Sequence, residues 1–316
     1  MTRLRAAVVG VGNMGRHHAR ILGSMADVDL VAVVDPDEER AARRAQPAGA
    51  IACSAVSELP DVDFAVVATP TATHMETACE LMARGTHLLV EKPLASTVEE
   101  AQAIADAALA ADVILAVGHV ERFNAALRAL GTLTESPLAL SFERLSPYTP
   151  RIRDSVVFDL MVHDLDLACW ITRSYPTRIE ATGLSVFSES LDVAHAILEF
   201  PGGSIASLQA SRITQDKVRR VSISEAQRYL VADSIREDLS IKRETSVDFY
   251  DAPSATYRQA SVIEVPYLDR GGEPLARELR NVVDAVRAGS QPLVDAAAGV
   301  SAVQLATDIE TAAERR

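Results

Sequence analysis

Two short segments carry side chains whose types and spacing suit proton transfer. Lys92 ends the apolar run HLLVE, so a parallel strand would place its amine at the carboxyl edge where open α/β sheets bind ligands. Asp159 and His163 are four residues apart, so on a helix they share one face, where the carboxylate can orient the imidazole and raise its basicity. Both segments therefore offer groups that could take part in proton transfer. The alternatives are a solvated surface lysine and a helix histidine with a purely structural partner.

A glycine-rich turn follows the first apolar run of the chain, in the segment AAVVGVGNMGRHHARIL. Gly10 allows a tight turn, Gly12 lets backbone approach a pyrophosphate, and Gly15 lets the next helix pack closely against the strand. A helix that begins near Asn13 and Met14 directs free N–H groups at the same anion. A simple glycine turn is the alternative, but the flanking strand and helix patterns favour a dinucleotide site made of these five residues.

Asp35 lies at the end of the second apolar run, VDLVAVVD, 20 residues after Gly15. A carboxylate at this position accepts hydrogen bonds from an adenosine ribose and repels a 2′-phosphate. Asp37 and Glu38 follow, and no arginine occurs before Arg40. The segment therefore predicts NAD as the cofactor in preference to NADP.

Arginines are concentrated between Arg144 and Arg153 in an otherwise acidic chain. The planar guanidinium groups of Arg144, Arg151 and Arg153 suit bidentate recognition of a diphosphate. A solvated loop in which Arg153 pairs with Asp154 is the other interpretation.

Two further turns follow predicted strands, at the edge where open α/β sheets bind ligands. After the fourth strand, Thr69, Pro70 and His74 could line the path of the cofactor, although Thr73 could simply cap its helix. The turn after the sixth strand offers three candidates for binding a substrate: His119, Arg122 and Asn124.

The composition excludes several classes of protein. The 316 residues suffice for two domains, and 48% hydrophobic with 24% charged residues is an ordinary globular balance. A net charge of −13 argues against nucleic acid or an anionic membrane as the main partner.

Three isolated cysteines predict neither a disulfide framework nor a zinc site, and Asp164 and Asp166 do not form a metal-ligand set. With no signal peptide and no membrane-length apolar run, we expect a cytoplasmic enzyme without a metal.

The hydrophobic pattern divides the chain into two parts. Up to residue 119, short β-rich runs alternate with helical ones, which is typical of a Rossmann fold, a doubly wound parallel α/β sheet. From 120 to 316, strands follow one another at hairpin spacing, with a turn at Pro201-Gly202-Gly203, and predict an α+β domain with a large open, mainly antiparallel sheet. Helices are predicted near residues 14–25, 38–45, 73–84, 97–111, 125–130, 156–171, 273–288 and 296–314, and Ser96 and Thr97 are the capping signals of the fourth.

Three motifs extend the pattern beyond a generic dinucleotide fold: ATPTATH, VEKPLA and FDLMVHDLDL. Together they resemble the Gfo/Idh/MocA oxidoreductase family over essentially the whole chain. The resemblance implies that Lys92 is the catalytic lysine beside the nicotinamide and that His163 is a general acid or base, with Asp159 binding or orienting the substrate. It also implies that Glu91 lies near the nicotinamide ribose, an outward-facing glutamate being the alternative.

The segments GHVERFN, PRIRD and DLMVHDLD are most similar to the UDP-N-acetylglucosamine 3-dehydrogenase branch of that family. This implies NAD-dependent oxidation of the 3-hydroxyl of a UDP-sugar to a ketone, with Lys92 or His163 accepting the proton. Oxidation of a free sugar or inositol, an NAD-dependent glycosidase and a non-catalytic NAD sensor remain as alternatives. Because family members often assemble through the exposed sheet face, a homodimer or homotetramer is expected.

Overall fold

The computed structural model describes residues 2–150, 154–245 and 260–314. The chain forms two compact units, and each of them is made of two separate stretches of sequence. The first unit combines residues 1–120 and 272–307, and the second combines residues 121–271 and 308–316.

Six parallel strands form the sheet of the first unit, in the order β3-β2-β1-β4-β5-β6. The central strands β1, from Ala6 to Val9, and β4, over its whole length, are apolar and buried, which is expected where helices cover both faces of a parallel sheet. This is the predicted Rossmann sheet. The strands are β1 Leu4–Val9, β2 Val28–Val34, β3 Ile51–Cys53, β4 Phe64–Val67, β5 His87–Glu91 and β6 Leu115–Gly118.

The crossover helices of this sheet begin and end close to the predicted bounds. They are α1 Gly15–Leu22, α2 Glu38–Ala45, α3 His74–Met82 and α4 Val98–Ala110. The side chain of Thr97 accepts a hydrogen bond from the Glu100 N–H and so caps α4, as the sequence predicted. At α2 the side chain of Asp37 caps the helix in the same way.

Eight strands form the sheet of the second unit, in the order β14-β13-β12-β11-β7-β10-β9-β8. Only β7 and β10 pair in parallel, and the other neighbours are antiparallel, so the sheet is mainly antiparallel as predicted. The strands are β7 Ala139–Leu145, β8 Arg178–Leu184, β9 Val193–Glu199, β10 Ile205–Ser211, β11 Val218–Ser224, β12 Arg228–Asp233, β13 Asp238–Thr245 and β14 Ala260–Glu264.

The strands of this sheet alternate between buried and exposed side chains. Leu140 and Phe142 of β7 are at most 2% exposed, whereas Ile197 of β9 and Ile205 of β10 are both 47% exposed. One face therefore packs against a core, and the other face is open. The helices that precede β8 are α5 Ala125–Leu133 and α6 Val162–Thr172, with a π-helical turn at Val157–Met161 directly before α6.

Two helices follow the large sheet along the chain, α7 Pro274–Ala288 and α8 Ala296–Glu314. Both were predicted, and the sequence assigned them to the second domain. In the structure residues 272–307 group with the first unit, because the apolar face of α7 packs against α1 and β1. The residues that α7 contributes to this core are Leu275, Leu279, Val282 and Val283.

Two features of the second unit were not predicted. Residues 156–171 do not form one continuous α-helix, because the π-helical turn inserts an extra residue before α6. Strand β14 was also missed. None of the described helices combines the length and apolar character needed to cross a membrane.

Candidate active site

Gly10 and Gly15 of the N-terminal turn have a geometric reason to be glycine, and Gly12 leaves open space. Gly10 has a φ of 81°, and a Cβ there would lie 2.8 Å from the backbone of Ala68 and Thr69. A Cβ on Gly15 would lie 1.8 Å from the Gly10 carbonyl oxygen, so the start of α1 touches the turn directly. At Gly12 no described atom lies within 4 Å of such a Cβ, which leaves open space over the backbone. This cradle fits the pyrophosphate of a dinucleotide.

The carboxylate of Asp35 is held at the end of β2 and is only 3% exposed. Its Oδ2 accepts from the Val11 N–H at 3.0 Å, and its Oδ1 accepts from the Asp37 N–H at 3.0 Å. The Arg40 guanidinium also donates to Asp35, at 3.2 and 3.4 Å, and to Asp37 at 2.8 Å. The structure thus places Arg40 in contact with Asp35, whereas the sequence analysis named Arg40 only as the first arginine after Asp35. Two carboxylates face one guanidinium here, so this end of β2 keeps a net negative charge, consistent with a ribose rather than a phosphate.

The turn after β4 is tied to the turn after β5 by a buried histidine. His74 is 1% exposed, and its Nε2 lies 3.0 Å from the Thr69 carbonyl oxygen. Its Nδ1 lies 3.1 Å from the carbonyl oxygen of Pro93. Both ring nitrogens therefore face backbone carbonyls, and His74 positions the loops around Thr69 and Pro70 instead of presenting a nitrogen to a ligand.

Lys92 follows β5 directly and is partly buried, with a cis peptide bond to Pro93. The preceding Glu91 is 7% exposed, and its Oε1 lies 2.6 Å from Nε2 of His18 on α1. Burial raises the pKa of Glu91, but the hydrogen bond and charge of His18, together with Lys92, outweigh burial and lower it. Glu91 is therefore an anion next to the lysine. The sequence analysis missed the partner, His18, although its position beside Ala19 and Ile21 on the apolar face of α1 is a readable signal.

In the second unit, Asp159 and His163 lie on the π-helical turn and on the first turn of α6. Both side chains are partly exposed, whereas the residues from Asp164 to Ala168 are buried. Single π-helical turns inside helices often occur at functional sites, because the extra residue changes the directions of nearby side chains. The spacing that the sequence analysis took from a regular α-helix is altered at this point.

Two of the predicted substrate arginines, Arg122 and Arg144, form buried ion pairs. Arg122 donates from Nε and Nη2 to the two carboxylate oxygens of Asp166, at 2.7 and 2.5 Å. Arg144 makes the same bidentate contact with Asp164, at 2.9 and 2.7 Å, and donates to Glu121 at 2.8 Å. The acidic residues Asp164 and Asp166 thus have a structural role, and these two arginines hold elements together.

The other predicted substrate residues are distributed as follows. Asn124 caps α5 by accepting from the N–H groups of Ala126 and Leu127, and its amide donates to the Ser234 carbonyl oxygen at 2.9 Å. His119 follows β6 in the first unit and is 1% exposed. Arg151 and Arg153 lie outside the described residues.

A further cation of the second unit is Arg219, which the sequence analysis did not identify. It lies on β11, opposite Arg144 of β7, and donates to the Val218 carbonyl oxygen and the Ser146 hydroxyl at 2.7 Å each. Burial and the charge of Arg144 lower the pKa of Arg219 to about 10, although Asp164, Glu121 and Asp159 act in the opposite direction. Arg219 is therefore a cation in the same unit as Asp159.

Comparisons with known protein families agree with this architecture. Residues 4–119 match the model described as oxidoreductase family, NAD-binding Rossmann fold, and residues 128–228 match the GFO/IDH/MocA C-terminal domain. The two matches fall on the parallel sheet of the first unit and on the first strands of the large sheet.

The chain is also similar to individual enzymes. It is 31% identical to UDP-N-acetylglucosamine 3-dehydrogenase of Acidithiobacillus ferrooxidans, over 99% of this chain and 98% of that protein. A solved structure of that enzyme has a TM-score of 0.90 and covers 100% of this chain and 99% of the solved one. Myo-inositol 2-dehydrogenase of Thermotoga maritima is 24% identical over 96% of this chain and 94% of that protein. The structure of GenD2 from gentamicin A biosynthesis in complex with NAD is 25% identical, with a TM-score of 0.82 over 99% of this chain and 95% of that one.

Proposed function

Because the chain belongs to the Gfo/Idh/MocA family of NAD-binding oxidoreductases, we propose that it oxidises the 3-hydroxyl of UDP-N-acetylglucosamine to a ketone. The observation that carries this proposal is the similarity to a UDP-N-acetylglucosamine 3-dehydrogenase over the full length of both chains, with 31% identity. The products would be a 3-keto nucleotide sugar and NADH.

The first unit holds the cofactor in this proposal. The glycine turn receives the pyrophosphate, Asp35 accepts the hydroxyls of the adenosine ribose, and the loops at Thr69 and Glu91 flank the rest of the dinucleotide. When NAD is bound, its nicotinamide ring accepts the hydride that leaves the sugar carbon. The full set of proposed cofactor residues is Gly10, Gly12, Asn13, Met14, Gly15, Asp35, Thr69, Pro70, Glu91 and Lys92.

The side chains of Lys92 and His163 are the proposed acid/base groups. One of them accepts the proton of the sugar hydroxyl as the carbon–oxygen single bond becomes a carbonyl. Asp159 orients the imidazole or binds a neighbouring sugar hydroxyl. The partial exposure of Asp159 and His163, directly before the buried residues from Asp164 to Ala168, supports this assignment.

Recognition of the diphosphate rests on fewer arginines than the sequence suggested. The guanidinium groups of Arg122 and Arg144 donate hydrogen bonds to the buried carboxylates of Asp166 and Asp164. We therefore do not assign these arginines to the substrate. Arg151 and Arg153 remain the proposed diphosphate ligands. Arg219 adds positive charge to the same unit.

Oxidation of inositol or a free sugar is the second candidate function. Its support is the similarity to an inositol 2-dehydrogenase over 96% of this chain, and such a substrate needs no diphosphate ligands. The two functions share the cofactor and the acid/base residues. They differ in whether a nucleoside diphosphate contributes to binding.

A substrate screen separates the two functions. UDP-N-acetylglucosamine, N-acetylglucosamine and myo-inositol are each incubated with NAD or NADP, and the absorbance of the reduced nicotinamide is followed. We expect turnover with UDP-N-acetylglucosamine and NAD, and calorimetric binding of UDP alone to the NAD-loaded protein. Efficient oxidation of myo-inositol without UDP binding would contradict the UDP-sugar assignment but keep the dehydrogenase assignment. A sugar converted without net accumulation of NADH would indicate a glycosidase.

We also propose that the protein forms a homodimer or homotetramer through the open face of the large sheet. Large apolar side chains on that face are exposed, among them Leu184, Ile197 and Ile205. Light scattering after size exclusion should give a mass of two or four chains, and Ile197→Lys should reduce it. The three free cysteines are typical of a reducing compartment, which supports a cytoplasmic location.

A further inference from the structure

Three ionisable side chains are buried together inside the first unit. They are His18 of α1, Glu91 of β5 and Glu278 of α7, and their exposed fractions are 0%, 7% and 1%. We call them the buried triad. Each comes from a different element, and α7 supplies its member from a stretch of sequence more than 180 residues away. Buried charged groups are costly unless they are paired, so this arrangement requires an explanation.

Two members of the buried triad form one tight pair. Nε2 of His18 lies 2.6 Å from Oε1 of Glu91, and Oε2 of Glu91 accepts from the Lys92 N–H at 3.3 Å. On the far side, a Cβ on Gly118 would lie 2.9 Å from Oε2, so β6 encloses the carboxylate closely. The Glu91 carboxylate therefore joins the dinucleotide-binding helix α1 to the backbone of Lys92.

The third member has no such partner. Neither carboxyl oxygen of Glu278 makes a hydrogen bond within the part of the chain that the structure describes, and both oxygens are buried. Its neighbours on α7, Leu275, Leu279 and Val282, are apolar and buried. Burial and the negative charge of Glu91 both raise the pKa of Glu278 well above its ordinary value.

The cationic groups near the buried triad act on Glu91 and not on Glu278. His18 pairs with Glu91, and Lys92, which directly follows β5, also lowers the pKa of Glu91. The neighbouring strand contributes Gly118, which has no side chain. A second carboxylate in this apolar enclosure would therefore repel Glu91 without gaining a cation.

We propose that Glu278 is a positioning residue for Lys92: as a neutral carboxylic acid it keeps Glu91 the single anion of the buried triad, so that the His18–Glu91 pair fixes the end of β5. This rests on the proposed function only in taking Lys92 as an acid/base group. When Glu278 loses its proton, repulsion between the two carboxylates displaces Glu91. Lys92 shifts with it, because its N–H is bound to Glu91.

Protonation of Glu278 can be observed without any substrate. The infrared spectrum of the folded protein should contain the carbonyl stretch of a protonated buried acid, and Glu278→Gln should remove it. Asp284→Asn, on the same helix with a side chain 60% exposed, is the matched control and should leave that band in place. Absence of such a band from the wild-type protein between pH 6 and 8 would overturn the proposal.

The same proton has a consequence for stability. A folded-state pKa raised above the unfolded value of about 4.3 means that the stability associated with Glu278 is fully present below that pH and is lost as the pH rises towards the folded-state pKa. Glutamine does not titrate. The unfolding equilibrium constant of the wild-type protein, relative to that of Glu278→Gln, should therefore increase about ten-fold per pH unit in this range and then level off.

The effect on Lys92 can be measured directly, because the chain has only three lysines. In protein labelled with 13C at lysine Cε, the Lys92 signal is assigned by its loss in Lys92→Arg. We expect this signal to change with pH at the titration of Glu278 in the wild-type protein and in Asp284→Asn, but not in Glu278→Gln. The same Lys92 titration in wild type and Glu278→Gln would show that Glu278 has a packing role only.

Activity provides the last readout. With the substrate identified by the screen, kcat/KM of the wild-type enzyme should fall on the alkaline side as Glu278 ionises, whereas Glu278→Gln should extend activity to higher pH. Glu278→Ala should lose activity at every pH, and glutamine should rescue most of that loss. Parallel pH profiles for wild type and Glu278→Gln would contradict the positioning role. If no sugar is oxidised, the proposed function fails, but the infrared and lysine measurements still decide this inference.

Discussion

Arg144→Ala should destabilise the second unit by about 3–5 kcal/mol, because it leaves a buried carboxylate without its cation. Arg144 donates hydrogen bonds to both carboxylate oxygens of Asp164 and to the carboxylate of Glu121. The side chains of Arg144 and Asp164 are 4% and 3% exposed, so water cannot replace the lost donors. Glu121, at 17%, can turn towards solvent, which leaves Asp164 as the main source of the loss. Burial lowers the pKa of Arg144, but the two carboxylates outweigh burial and raise it, so the guanidinium stays charged.

Denaturant unfolding measures this loss. Trp170 is the single tryptophan of the chain and lies on α6 together with Asp164, so its fluorescence reports on the second unit. A loss of 3–5 kcal/mol is a large part of the roughly 5–15 kcal/mol that stabilises a typical domain. The midpoint in urea should therefore fall by more than about 1 M.

A matched variant and a rescue make this prediction specific. Arg178→Ala removes an arginine of the same sheet that is 60% exposed and pairs with Glu180 and Glu199, so its effect should stay below about 1 kcal/mol. Arg144→Met combined with Asp164→Leu should recover most of the stability, since an apolar pair replaces the ion pair. If Arg144→Ala unfolds at the same urea concentration as Arg178→Ala and instead weakens UDP binding, the ion-pair interpretation is wrong and Arg144 is a substrate ligand.

Three further predictions concern the cofactor, the acid/base groups and the acid stability. Asp35→Ser should narrow the preference for NAD over NADP, because it removes a repulsive charge and frees Arg40 for a 2′-phosphate; adding Arg40→Ala should abolish the gain in NADP-dependent turnover. Lys92→Ala and His163→Ala should each lower kcat by about 10² or more with little change in NAD affinity by calorimetry, and near-normal turnover in either would remove that residue from the mechanism. Burial raises the pKa of Asp192, but backbone N–H groups of Phe187 and Val186 and the side chain of Arg212 outweigh it and lower it. The contribution of Asp192 to the free energy of unfolding is therefore present above a pH of about 4 and lost as the pH falls. In Asp192→Asn the free energy of unfolding should decrease less between neutral and acid pH than in the wild-type protein.

Much of the fold could be predicted because the signals are local. The apolar runs, the glycine turn and the Thr97 cap depend on residues close in sequence, and the structure confirms the parallel sheet and the cap. Helix α7 was predicted for the same reason. Its packing partner was not, because an apolar helix face does not specify which sheet it will cover.

The site was harder to predict because its contacts join distant residues. Arg122 and Asp166 are 44 residues apart, and Arg144 and Asp164 are 20 apart, so nothing in the loop sequence shows that these arginines are already paired. The π-helical turn before α6 likewise leaves no periodic signal. The apolar face of α1 indicates that His18 is buried, but only the folded structure places His18 and Glu278 beside Glu91.

The return of the chain from the large sheet to α7 has a consequence for synthesis on the ribosome. The six strands of the parallel sheet are complete by Gly118, but one part of their apolar cover is translated only with residues 274–288. At roughly 5–20 residues per second, this interval lasts about 8–34 s, during which a nascent Rossmann sheet exposes surface that α7 will later bury. For the same reason, a fragment cut after residue 120 should aggregate when expressed alone. A fragment that joins residues 1–120 to 272–307 through a short linker retains the cover and is the appropriate form for studying cofactor binding in isolation.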